Sequence, residues 1–340
     1  DSRYQNLTVT YLSGQNTLYG NGEELTTFPE PLLNELSVEL VLSEHGGAQR
    51  ALVVGGGLEF AAAVRSAGVA RVDYVDIDPE AVNITMPFLP WETAHEAQSG
   101  AVKVHFEDAR LFVARGGGYG DGYDCIFVRA GEPSTLLLNR LYTREFMEDA
   151  LGCLSEDGVI SVPVTLAGSY LGGDVGRYAG DIYRTMKSVF AEVIATPDAH
   201  SMFIACAKPG LLTTSSDELG KRFRKRGGQS SLFPEAFALL LPPERTAQVN
   251  QELSGLPGRV NRDWRPTTYA SNLRLWATFS ESPIGRFLGR LAAAPGWMVY
   301  AGVFAAAVFA ALVMALRKGC LLYTSPSPRD RTRYRMPSSA

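Results

Sequence analysis

The sequence predicts an α/β chain built on a doubly wound, mostly parallel sheet. Three observations carry this expectation. Short apolar runs at residues 51–54, 72–75, 101–106, 123–128 and 159–164 alternate with segments of helical spacing. The first run ends in Gly55-Gly56-Gly57, and the second ends in Asp76, roughly 20 residues past those glycines. A strand, a glycine turn, a helix and a second strand make one half of a nucleotide-binding βαβ unit, with an acid placed to take the two hydroxyls of a ribose. Phe60 and Ala61 stand where the dinucleotide fingerprint has its third glycine, so the pattern favours a single nucleoside of S-adenosyl type over NAD.

Taken in order, residues 7–11 alternate as a strand, Gly14 to Asn16 turns, and residues 17–19 with Asn21-Gly22 give a second strand and a tight turn. Residues 1–28 thus read as a β-hairpin region. Pro29 or Pro31 opens a helix through Leu32, Leu33, Leu36, Val38 and Leu40 that ends near Gly46-Gly47, its glutamates expected on a solvated face. A helix over 79–88 follows Asp76. The strand at 101–106 ends in Glu107-Asp108 and leads into a helix at 109–114. The glycine loop at 116–122 precedes a strand, which makes it a surface connection rather than a phosphate cradle. A helix at 143–154, stopped by Asp157-Gly158, another at 181–190, and strands at 192–195 and 201–207 complete a domain over 29–210.

Residues 211–296 read as a helical extension and linker, with helices at 217–225, 234–241 and 243–253. Within it Lys221, Arg222, Arg224, Lys225 and Arg226 form a basic cluster, either a solvated helix end or a contact for anionic membrane lipid. Residues 297–316 are uncharged and rich in Ala, Val and Phe, opened by Trp297 and Tyr300 and closed by Arg317-Lys318. A helix of about 20 such residues spans the hydrocarbon layer, so a C-terminal transmembrane helix is expected over 297–318. Residues 319–340 are expected to be an artefactual disordered tail, because the stretch from Cys320 resembles a translated sequencing adapter. Asp1 is no initiator, and the true amino terminus is expected to lie upstream.

With 32 basic against 36 acidic residues and 46% hydrophobic content, the chain is neither disordered nor a strongly basic nucleic-acid binder, and no nucleic-acid partner is expected. Its basic tail is discounted with the adapter. Cys125, Cys153 and Cys206 are far apart, as are His45, His95, His105 and His200, so the reading is reduced thiols in a cytosolic compartment and no metal.

In family order stand Ser2-Arg3-Tyr4-Gln5, Leu18-Tyr19 with Asn21-Gly22, the run from Val53 to Gly57, Asp76-Ile77-Asp78, Asp108-Ala109, Tyr123-Asp124, Leu141-Tyr142-Thr143 with Glu145-Phe146, and Glu156-Asp157-Gly158. On these motifs the chain, over residues 2–209, resembles the spermidine synthase (polyamine aminopropyltransferase) family, particularly its membrane-fused bacterial relatives. Asp263, Arg265-Pro266, Tyr269 and Trp276 are similar to the segment that precedes the spans in those relatives. The resemblance implies a Rossmann-like sheet of the S-adenosylmethionine-dependent methyltransferase type. It implies decarboxylated S-adenosylmethionine, or S-adenosylmethionine, as a substrate without a metal, and a polyamine as the second partner. Gln5 and Gly55, Gly56 and Gly57 would line the nucleoside pocket, Asp76 with Ile77 would hold the ribose, and Asp108 with Ala109 would meet the adenine, whose amino group needs an acceptor. For Asp108 a helix N-cap is the competing reading.

The family's catalytic run Asp-Ser-Ser/Thr-Asp-Pro is here Arg129-Ala130-Gly131-Glu132-Pro133, its acid after the glycines is Leu58, and its Tyr-His-Glu reads Leu33-Asn34-Glu35. Arg129 reverses the field that holds a polycation, and Glu132 remains to hold an amine or act as a base. The expected protein is therefore anchored in the inner membrane, with its soluble domain facing the cytoplasm and room for a homodimer. It is nominally an aminopropyl transferase of polyamine metabolism with altered or lost catalysis. Two alternatives stay open: a non-catalytic ligand-sensing or scaffold domain, and a methyltransferase acting on an acidic small molecule paired with Arg129.

Overall fold

The computed structural model describes residues 1–118, 120–166, 171–197, 201–279 and 296–321. It opens on an antiparallel sheet of three strands, β1 (Leu7–Leu12), β2 (Gln15–Gly20) and β3 (Glu23–Phe28). The sequence reading lacks β3, whose Glu-Glu-Leu-Thr-Thr-Phe has no strong apolar face and which is held by its register with β2. Helix α1 (Pro31–His45) starts with proline in its first turn and closes on Gly46, which is left-handed at φ 78 and donates its N–H to the Leu42 carbonyl at 2.9 Å.

The main sheet contains β4 (Arg50–Val54), β5 (Arg71–Asp76), β6 (Val102–Phe106), β7 (Tyr123–Val128), β8 (Leu154–Pro163), β9 (Glu192–Ala195) and β10 (Met202–Cys206). Their spatial order is β6-β5-β4-β7-β8-β10-β9; the first five run parallel, and β10 is antiparallel to both neighbours. Strand order reverses between β4 and β7, and a crevice opens there at the carboxyl ends of the strands.

Alternation along the central strands sends successive side chains to opposite faces. Leu52, Val54, Ile126 and Val128 join Phe112, Phe146 and Ile182 on one face, from α5 (Ala109–Ala114), α7 (Arg144–Cys153) and α8 (Gly173–Lys187). Ala51, Val53, Cys125 and Phe127 join Val41, Phe60 and Val64 on the other, from α1 and α2 (Leu58–Ser66). Both faces are covered, which is why β7 is buried along its whole length. Helices α3 (Pro79–Thr85), α4 (Trp91–Ser99) and α6 (Leu136–Asn139) complete the connections. Cys125, Cys153 and Cys206 are buried free thiols.

Two expectations about charge are corrected. The α1 glutamates do not share a solvated face, because α9 (Ser216–Lys225) packs on that helix and buries Glu39 and Glu44. Arg226 pairs with Glu39. Arg222 donates to the Glu44 and Leu211 carbonyls at 2.8 and 2.9 Å and lies 3.7 Å from the Glu44 carboxylate. Two cations of the basic cluster are thus structural, which leaves only Lys221, Arg224 and Lys225 exposed for a lipid surface.

Beyond α10 (Ala236–Leu240) and α11 (Pro243–Gly255), the chain returns to the main domain through α12 (Thr267–Phe279), an element missing from the sequence reading. It packs on α8, where the buried Asp181 accepts from the Arg259 N–H at 2.7 Å and the Ser271 hydroxyl at 2.6 Å. Buried Asn261 donates to Asn139 Oδ1 and to the Tyr142 carbonyl. Polar anchors of this kind carry no hydrophobic period, so the pattern of the sequence does not announce them.

The expected membrane span is not found: among the described residues no helix is long and apolar enough to cross a membrane. Helix α13 (Gly296–Leu321) forms over the stretch where the span was expected. It ends beyond the expected boundary at 318. The rest of the expected tail, residues 322–340, lies outside the described residues.

Candidate functional site

The glycine turn joins β4 to α2 with Gly55, Gly56 and Gly57 at φ 66, 76 and 85. Side chains rarely adopt that region, and space forbids them as well. A Cβ on Gly55 would fall 2.8 Å from Ala130 Cα, on Gly56 2.3 Å from Arg129 Cβ, and on Gly57 2.9 Å from Thr26 Oγ1. The turn is therefore wedged between the loop after β7 and strand β3. The Gly55 N–H reaches the Val75 carbonyl of β5 at 3.0 Å.

Asp76 ends β5 beside this turn, half-buried. One carboxylate oxygen accepts the Tyr74 hydroxyl at 2.8 Å and the other accepts the Asp78 N–H at 2.9 Å. Burial pushes its pKa up, and those two hydrogen bonds offset part of the rise. Asp78 itself is fully buried and caps α3 through the Glu80 N–H. Its second oxygen takes the Ser2 hydroxyl at 2.6 Å and Gln5 Nε2 at 3.0 Å, which brings the amino-terminal segment into the site. Gln5 Oε1 in turn lies against Gly20, where a Cβ would come within 2.3 Å.

Asp108 realises the competing reading as the N-cap of α5, with one oxygen accepting the Arg110 N–H at 2.8 Å. Its other oxygen pairs with Arg140 at 3.1 Å. Arg110 is held by Asp263 at 3.0 Å and by the Thr143 hydroxyl at 3.0 Å. Neither arginine stands out in the sequence, since a lone Arg carries no spacing signal.

All eight residues expected around a nucleoside, Gln5, Gly55, Gly56, Gly57, Asp76, Ile77, Asp108 and Ala109, line one open cleft with an empty volume of about 1010 Å³. Apolar walls come from Leu18, Val82 and Leu141, and polar ones from Arg110 and Arg140. An open cleft with apolar walls and few convergent polar groups suits a small organic ligand. Among the described residues no group of three or more His, Cys, Asp or Glu is placed to hold a metal ion.

The two catalytic candidates lie beside this cleft rather than in its wall. Arg129 leaves β7 with its guanidinium stacked on Phe60, 4.6 Å from the ring centroid. Burial lowers its pKa, against the charge of Glu30. Glu132 turns the other way, towards α8 and α12: one oxygen accepts Asn272 Nδ2 at 3.4 Å, and the other is buried with no hydrogen-bond partner among the described residues. Tyr142 is the group that senses both. Burial drives its pKa well up, Glu132 adds to the rise and Arg129 opposes it. A further link invisible in the sequence is Glu59, one residue beyond the position where the resembled family has its acid; its carboxylate accepts the Glu30 N–H at 3.1 and 3.2 Å and fixes the start of α1 against α2.

Comparison with known proteins fits this geometry. Residues 30–195 match the family model of the spermine/spermidine synthase domain. A polyamine aminopropyltransferase of Corynebacterium efficiens is 33% identical over 160 residues, covering 46% of this chain and 30% of that protein. One from Pyrobaculum calidifontis is 30% identical, covering 41% and 48%. The chain thus spans between about a third and a half of the length of these relatives. The counterpart in Pyrobaculum neutrophilum is 27% identical over 68% of this chain and 82% of its own. Among solved structures, a spermidine synthase in complex with the transition-state analogue AdoDATO superposes with a TM-score of 0.59 at 16% identity, covering 75% of this chain and 86% of that one. The spermidine synthase from Thermotoga maritima gives 0.57 at 16% identity, covering 75% and 85%. These superpositions carry the fold, an α/β Rossmann-like sheet of methyltransferase type. By its strand order, its glycine turn and the match over residues 30–195, the chain is similar to the spermidine synthase family.

Proposed function

We propose that the cleft binds the nucleoside of an S-adenosyl sulfonium compound, and that the chain is a spermidine synthase-like aminopropyltransferase with impaired handling of polyamines. One observation carries the first part: residues from Gln5 to Ala109 converge on one cleft, with the Asp76 carboxylate beside the glycine turn. Each Asp76 oxygen has a second lone pair beyond those used by Tyr74 and Asp78, enough for the two hydroxyls of a ribose. Asp108 is engaged by Arg110 and Arg140, and an adenine amino group would share its carboxylate with them.

Aminopropyl transfer needs a neutral amine aimed at the carbon next to the sulfonium, with carboxylates to hold a cationic acceptor. Glu132 supplies one, and its unpartnered buried oxygen is available to an amine. Arg129 supplies the wrong charge for a polyamine. Isothermal titration with S-adenosylmethionine, its decarboxylated form and methylthioadenosine tests the site, and binding of none of them ends the reading. Turnover of putrescine at the rate of an ordinary synthase would end the claim of impairment. Arg129 also favours a second reading, a ligand-sensing domain, which predicts nucleoside binding with no turnover of any amine.

Attachment to the inner membrane through α13, with the soluble part facing the cytoplasm, belongs to the same proposal. It is supported by the exposed Phe304, Val308, Phe309, Leu312 and Met314, which leave that helix apolar on several sides. The expressed chain should stay in the membrane pellet after an alkaline carbonate wash; recovery in the supernatant would reject the attachment.

A further inference from the structure

We propose that Arg129 is the counter-charge for a carboxylate carried by a substrate, either the tail of intact S-adenosylmethionine or an amino-acid acceptor. The inference rests on the nucleoside reading above and goes beyond it by naming the chemistry of the ligand's charged end.

Four other arginines drawn towards the interior are supplied with an acid: Arg110 with Asp263, Arg140 with Asp108, Arg222 with Glu44, Arg226 with Glu39. Arg129 breaks that pattern. Among the described residues no carboxylate lies within 4.0 Å of its guanidinium, which rests on the face of Phe60. The charge of Glu30 acts on it from beyond ion-pair reach, so a guanidinium taken out of water and resting on an aromatic face has no anion in direct contact.

Its position decides what that anion belongs to. The side chain leaves the backbone flush against the glycine turn, within 2.3 Å of where a Gly56 Cβ would stand, and its neighbour Ala130 lines the cleft. The first residue of α2 beside the turn is Leu58, and Glu59 is spent on the Glu30 N–H, so neither supplies Arg129 with an acid. A carboxylate on the ligand fits that charge, and its planar pair of oxygens matches the guanidinium fork. Decarboxylated S-adenosylmethionine and diamines carry only cationic ends, which Arg129 disfavours.

The test is calorimetric titration of the full chain. Wild type should bind S-adenosylmethionine about tenfold or more tighter than its decarboxylated form if the donor carries the carboxylate. With methylthioadenosine bound, it should prefer 4-aminobutyrate to 1,4-diaminobutane by a similar factor if the acceptor does. Arg129→Met should erase whichever preference wild type shows, each affinity being referred to that of methylthioadenosine on the same variant, and Arg129→Lys should keep part of it. The wild-type comparison alone decides if the variants fail to fold. No preference for a carboxylate in either pair, or a preference that survives Arg129→Met, overturns the proposal while methylthioadenosine still binds. Failure of methylthioadenosine itself to bind overturns the nucleoside reading and this inference together.

Discussion

Replacing Asp76 by alanine should weaken nucleoside binding by about a hundredfold or more, because two charge-assisted hydrogen bonds to a ribose are each worth roughly 1.5–3 kcal/mol. Asp76→Asn keeps the shape, removes the charge and turns one acceptor into a donor, so it should lose nearly as much. The Tyr74 hydroxyl and the Asp78 N–H also depend on this carboxylate, and the variants must be checked for folding by circular dichroism. Titration with methylthioadenosine is the clean measurement, since it carries the ribose without a charged tail. A folded Asp76→Ala variant with wild-type affinity would remove the ribose contact from the site.

Stability should fall as the pH rises from about 4.5 to about 8, and Glu44 is the main cause. This carboxyl is buried, and burial raises its pKa from 4.5 to about 8 despite the Thr213 N–H at 2.9 Å and the nearby Arg222. At pH below 4.5 both the folded and the unfolded chain carry the proton, and the contribution is at its full value. As pH rises, the unfolded chain loses the proton first, so the contribution declines and is gone once pH passes the folded value of about 8. The change between pH 5 and 8 is on the order of 3 kcal/mol for this one group. Glu59, Asp76 and Asp181, whose pKa values burial also raises, add in the same direction. Asp124 opposes them: burial pushes it up, but the Gln49 and Arg50 N–H groups and Ser155 hold it below its ordinary value, so its contribution is lost only in acid. Urea denaturation of wild type and Glu44→Gln at both pH values checks the argument. The variant should show a clearly flatter dependence; an equal slope in the two proteins would acquit Glu44.

Seen from the residues, the site divides by the range of the forces that build it. Gly55 to Gly57 and Asp76 are legible because a strand, a turn and a strand repeat at fixed spacing, and that spacing is local. Asp108 was legible only as two readings, and the cap is the one that local backbone chemistry realises; Arg140, whose charge completes its environment, comes from a helix whose sequence gives no sign of it. Arg129 and Glu132 are near neighbours in the chain, yet the turn after β7 sends them to opposite sides, one onto Phe60 and the other towards Asn272.

What the sequence by itself determined is the doubly wound sheet, the glycine corner and the acid at the end of β5, for these follow from periodicity and from residue type. Only the tertiary structure decided that Gln5 is tethered by Asp78, that Glu39 and Glu44 are buried against α9, and that α12 returns to touch Glu132. The physical reason is that a hydrogen bond or an ion pair between distant segments depends on packing, and packing leaves no period along the chain.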